Sequence, residues 1–139
     1  MISRKSNTLL LLVCLLLFCP NILFPQSKSV KEYPSDCEHV RHILDQTLAQ
    51  TSNLENVSTI IIFRLGRNET SRKVIDRRMK LVKNHIKFRN QKIGRFLLAE
   101  AEKTNGLGKL EIYIAGKLTG ELFAKKNANF GYDCLEEPF

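Results

Sequence analysis

Four apolar residues, Ile75, Met79, Val82 and Ile86, recur at intervals of four, three and four inside an otherwise charged stretch, "SRKVIDRRMKLVKNHIKFRNQKIGR", residues 71 to 95. At 3.6 residues per turn this spacing puts all four on one face, which predicts a helix that must cover an apolar surface. The same stretch carries ten Lys or Arg residues against one acid, Asp76. At about 100° per residue, Lys73, Arg77, Lys80 and Lys87 point away from the stripe, where any solvated helix would put its charge. Arg78 differs. It falls about 60° from the centre of the stripe, on the border between core and water. There it serves either as a stem that covers the core edge with its head in water, or as a clamp for a carboxylate or another anion.

The surface for that helix to cover is also written in the chain. "STIIIFRLG" is a continuous run of branched apolar residues stopped by Gly66, which suits a central strand covered on both faces. "RFLLAEAE" reads as a second strand. "KTNGLGK" holds an Asn-Gly pair that favours a tight hairpin turn. In "KLEIYIAG", Leu110, Ile112 and Ile114 alternate with Glu111 and Tyr113, giving a strand with one buried face. "KLTGELFAKK" offers a last strand, with Gly120 as a weak point or bulge. Ahead of all these, Asp36 or Ser35 can cap a helix starting near Cys37, in which Val40, Ile43, Leu44 and Leu48 share a face. The order is α-β-α-β-β-β, and the expected class is α+β: a two-layer sandwich with two helices packed on a mixed sheet of about four strands.

The first 27 residues have a different character. Arg4 and Lys5 precede an apolar run from Leu9 to Phe18, followed by Pro20 and a polar stretch. A ten-residue apolar core is short of the roughly 20 residues that span a bilayer, so the segment reads as a cleaved signal peptide. If uncleaved, it would act as a membrane anchor. Cys14 and Cys19 follow Val13 and Phe18, bulky residues where a lipoprotein signal has small ones. The reading is therefore signal 1–27, linker 28–36 and a single domain 37–139, with a formal charge of about +6 once the leader's two cations leave the +8 of the whole chain. An exported domain meets an oxidising compartment, so Cys37 and Cys134, the two cysteines left, are expected to form one disulfide. In the chain-entropy model a loop of that length contributes on the order of 4–5 kcal/mol.

Motifs for catalysis are absent: the chain has no Gly-x-Ser-x-Gly, no His-Glu-x-x-His and no Walker-type loop. "NGLGK" precedes a strand rather than a helix and so lacks the setting of a phosphate cradle. Glu100 and Glu102, two apart, read as solvent-facing rather than as paired catalytic carboxylates. His39, His42 and His85 are scattered without grouped acids or cysteines, so no metal site and no cofactor are expected. Phe88, Phe96 and Tyr113 are too few to form a stacking platform for bases, and export argues further against a nucleic-acid partner. Asn56-Val57-Ser58 and Asn68-Glu69-Thr70 both fit the glycosylation acceptor pattern, which matters only in a eukaryotic source.

From about residue 37 to 116 the order helix, strand, helix, strand, strand resembles the OmpA-like peptidoglycan-binding domain. "VIDRRMKLV", Val74 to Val82, lies over that family's helix pattern with Arg78 at its arginine, and "KLEIYIAG" is similar to its late strand. The resemblance implies that Arg78 grips a carboxylate of a cell-wall peptide while a loop acid pairs with the peptide's ammonium group. The family's aspartate loop is missing. In its place stands the shorter "RLGRNETS", whose only acid is Glu69. The expectation is an exported, noncatalytic binding module of the envelope, periplasmic or secreted. It would take peptidoglycan or another anionic polymer through the basic helix, with Arg78 and Glu69 as a degenerate site. The alternative is a structural or protein-interaction domain with no small-ligand site.

Overall fold

The computed structural model describes residues 32–131. The signal segment and its cleavage site, and Cys134, lie outside the described residues. The elements run in the expected order: α1 (Cys37–Asn53), β1 (Thr59–Arg64), α2 (Arg72–Phe88), a short 3-10 turn (Ile93–Arg95), β2 (Phe96–Ala101), β3 (Gly108–Ile114) and β4 (Lys117–Ala124). The strands form one mixed sheet in the order β2-β1-β3-β4. β1 is parallel to β2 and antiparallel to β3, and β3 is antiparallel to β4. The class is α+β, two helices and a four-stranded mixed sheet.

Both helices lie on one face of the sheet, α1 against β4, α2 against β1, and each against the other. Asp36 caps α1 by accepting the His39 N–H at 2.8 Å, satisfying one of the donors that a helix start leaves open. Ser71 is the corresponding residue of α2 but makes no side-chain cap. Val40, Leu44 and Leu48 of α1 and Val74, Ile75, Val82 and Ile86 of α2 meet Ile61, Phe63, Leu110, Ile112 and Leu122 of the sheet in one core. At its edge the buried hydroxyls of Thr51 and Thr59 share a 2.6 Å hydrogen bond, tying the end of α1 to the start of β1.

Two expectations are corrected by the topology. β1 is central by pairing but is fully buried on one face only: Thr59, Ile61 and Phe63 are buried, while Ile60, Ile62 and Arg64 are half-buried on the helix-free face. The Asn105-Gly106 pair, read as a hairpin turn, joins strands that are not neighbours. β1 lies between β2 and β3, so the connection must cross its end, where Thr104 and Arg67 make backbone bonds to and from it (Thr104 N–H to Leu65 O, 2.9 Å; Arg67 N–H to Gly106 O, 3.1 Å). The tight hairpin is instead at Ala115-Gly116, both with positive φ (50° and 77°), as the favoured two-residue turn requires. The irregularity expected near Gly120 is present: the β3–β4 register shifts between Ile112 and Tyr113, leaving Thr119 as the extra residue.

The described part of the linker is tied to the domain. Ser35 donates its N–H to Phe123 O (2.8 Å) and accepts the Phe123 N–H on its hydroxyl (2.9 Å), while Glu32 accepts the Leu107 N–H (2.8 Å). Ser35 thereby engages the outer edge of β4.

Candidate functional site

Arg78 and Glu69 are brought together. Gly66 stops β1, the chain turns through 67–70, and Arg78 lies two turns into α2, facing back over that turn. Its Nη1 donates to Glu69 Oε2 at 2.9 Å and its Nη2 to Oε1 at 2.6 Å, the two parallel bonds in which a guanidinium fits a carboxylate. Nε and Nη2 also donate to Ala128 O at 2.9 and 2.8 Å. Glu69 in turn accepts the backbone N–H groups of Gly66 (2.7 Å) and Asn127 (2.6 Å). The Phe130 ring lies 5.2 Å from the guanidinium carbon and packs on Phe63.

The position of Arg78 departs from the expectation of a border residue. Its side chain is 0% exposed and that of Glu69 1%. The reason is the width of the buried arc. The stripe of Ile75, Met79, Val82 and Ile86 marks only one side of it; Val74 and His85 are buried as well, and with them included Arg78 falls about 20° from the middle of the arc. The pair therefore connects three segments: the loop after β1, α2, and the chain after β4. Each guanidinium nitrogen and both carboxylate oxygens are engaged inside the protein.

Gly108, the first residue of β3, leaves the room for this. A Cβ there would stand within 2.5 Å of both Arg78 Nη1 and Glu69 Oε2. Burial alone would raise the pKa of the Glu69 carboxyl, but Arg78 and the Gly66 and Asn127 N–H groups outweigh it and hold the group below the ordinary glutamate value of 4.5. A carboxylate with a lowered folded-state pKa gives stability that is complete above its unfolded value and is lost as pH falls through the folded one. Stability measured against pH should therefore fall more steeply below about pH 4.5 in the wild type than in an Arg78→Met/Glu69→Gln double variant. Parallel curves would show that Glu69 does not titrate with folding.

Lys73, Arg77, Lys80 and Lys87 are exposed, as expected of the outward face, and Lys83 joins them. Asp76, Met79, Lys80, Lys83, Asn84 and Lys87 line a shallow cleft of about 390 Å³ beside this face. Arg77 donates to Asn127 O at 2.9 Å, so one basic residue also touches the segment after β4.

Several groupings were not legible in the sequence. His85 is buried and lies 2.8 Å from Asp45 of α1, which also takes two bonds from Arg89 (2.9 and 2.5 Å), a polar clasp between the helices. On the helix-free face Glu111, only 6% exposed, pairs with Arg64 and Lys109, and Lys109 reaches on to Glu121. The strongest miss is the segment 125–130, whose carbonyls and Phe130 complete the Arg78 site. Only its turn-forming Asn127, with φ 59°, was a signal there. Glu100 and Glu102 are exposed, and no group of three or more His, Cys, Asp or Glu comes together among the described residues. No helix among them is long and apolar enough to cross a membrane.

Comparison with known proteins finds no matching family model, no matching characterised protein and no matching solved structure.

Proposed function

We propose that this chain is an exported, noncatalytic binding module of the cell envelope that takes an anionic polymer on the outward face of α2. The observation that carries this reading is unneutralised charge. Lys73, Lys80, Lys83 and Lys87 are exposed on one helix and enter no ion pair among the described residues. Asp45, Glu69, Glu111 and Glu121 are meanwhile occupied elsewhere. A strip of four lysines against the single acid Asp76 raises encounter rates and affinity for polyanions, an attraction that weakens as salt rises.

Export rests on the basic head and apolar run of residues 1–27. A disulfide between Cys37 and Cys134 belongs to the same reading, since export carries these two cysteines into an oxidising compartment. The OmpA-like resemblance contributes the envelope setting. In this reading Arg78 and Glu69, spent on each other and on backbone groups, hold the loops while the lysines meet the polymer.

The alternative, a protein-interaction domain, draws on the helix-free sheet face. There Leu97, Ile60, Tyr113 and Leu118 form one row across all four strands, and Leu97 and Leu118 are 58% and 49% exposed. Cosedimentation with purified peptidoglycan carrying its anionic wall polymers separates the two readings. The wild type should sediment at about 50 mM salt and be released by about 500 mM, and a Lys80→Gln/Lys87→Gln variant should sediment several-fold less. A protein that stays in solution at low salt, or that sediments regardless of salt, contradicts the polymer reading.

A further inference from the structure

Lys73, Arg77, Lys80, Asn84 and Lys87 follow one another at intervals of four, three, four and three residues. On a helix these intervals form a nearly straight ridge, and with a rise of 1.5 Å per residue it is about 21 Å long. All five residues are exposed. Lys83 stands beside the ridge, across the cleft it shares with Lys80, Asn84 and Lys87. Three of the four ridge cations are lysines, point charges on flexible stems that hold an anion without demanding the planar geometry an arginine reads. A base would find one aromatic ring here, the exposed Phe88, too few for the stacking platform a nucleic acid uses. Phe88, at its end, lies under the Arg89 guanidinium at 5.4 Å.

We infer, building on the proposed function, that the ridge is read by length: it takes a linear, flexible polyanion without bases, laid along α2, and does not retain single anions. A chain spanning the ridge meets four cations at once, and each contact after the first is made at high effective concentration. A short anion meets one or two and is lost to salt. Four contacts also predict that log affinity falls against log salt with a slope of about −3. Asp76 lies beside the ridge within the same cleft and opposes such a ligand.

The test uses the mature protein and linear inorganic polyphosphate of graded length, with binding measured by titration at about 50 mM salt. Affinity should climb steeply until the chain spans about 21 Å and then level off. Lys80→Gln/Lys87→Gln should cost about tenfold, on exposed-pair energetics, whereas Lys117→Gln/Lys103→Gln, the same charge change at exposed sites off the helix, should cost less than about threefold. Asp76→Asn should tighten binding about twofold. Polyglutamate of matched charge tells phosphate from carboxylate as the charge carrier. The lysines should hold the two within about tenfold, and a roughly hundredfold preference for either would overturn a point-charge ridge. Equal affinity for short and long chains, equal losses on and off the ridge, or tighter binding of oligodeoxythymidylate than of polyphosphate of the same length would each overturn the inference and leave the anionic-partner reading standing. Absence of binding at every length would overturn both.

Discussion

Arg78→Ala should unfold about 3–5 kcal/mol more easily than the wild type in denaturant titration, the usual cost of leaving one partner of a buried ion pair alone. The expectation follows from what Glu69 would face. Its carboxylate, 1% exposed, would keep the N–H groups of Gly66 and Asn127 but lose the cation it is paired with. Ala128 O would lose its two guanidinium donors at the same time. Arg77→Ala, one residue away but on the exposed face, should change stability by roughly 0.5 kcal/mol or less. Replacing both partners at once, Arg78→Met with Glu69→Leu, should recover part of the loss, because the uncompensated charge is then gone while the Gly66 and Asn127 N–H groups and Ala128 O lose their partners. If Arg78→Ala were as stable as Arg77→Ala, the pair would not be holding the three segments together.

Gly108→Ala should be nearly as damaging, about 3 kcal/mol or more, although it adds one methyl and removes nothing. Its Cβ would lie within 2.5 Å of both Arg78 Nη1 and Glu69 Oε2, so either the ion pair or the start of β3 must move. The damage has a distinguishing mark: residues that act through one contact are not additive. In an Arg78→Met/Glu69→Leu background the same alanine should cost at least about 1 kcal/mol less, because flexible apolar side chains yield where a fixed bidentate pair does not. Strict additivity in that double-mutant cycle would mean that Gly108 is needed for a reason unconnected with the pair.

Where the sequence was legible, periodicity wrote the answer twice over. Ile75, Val82 and Ile86 at helical spacing and Leu110, Ile112 and Ile114 at strand spacing each name their element and their buried face, and all six are in the core. Pairing was less legible because it depends on which strand lies between which others. Asn105-Gly106 carries a hairpin signal in its own chemistry, yet β1 occupies the place beside β2 that a hairpin partner would take. The depth of Arg78 was hidden for a related reason. A charged residue on the flank of an apolar stripe reads as wet unless its counter-charge is known, and that counter-charge came from a loop nine residues earlier, with a carbonyl from 50 residues later. The outward lysines needed no tertiary information, since their position opposite the stripe leaves them exposed.

In the proposed function the basic residues of α2 divide between two roles: Arg78, buried against Glu69, holds the fold, and the exposed lysine ridge is proposed to meet the partner. The most direct measurement scores one pair of variants, Arg78→Met/Glu69→Leu and Lys80→Gln/Lys87→Gln, for both denaturant stability and polyphosphate binding. The ridge variant should keep wild-type stability within about 0.5 kcal/mol and lose about tenfold in affinity. The buried-pair variant should bind within about twofold of the wild type wherever it is folded. A buried-pair variant that folds but no longer binds, beside a ridge variant that binds normally, would contradict the division and return the ligand site to Arg78 and Glu69.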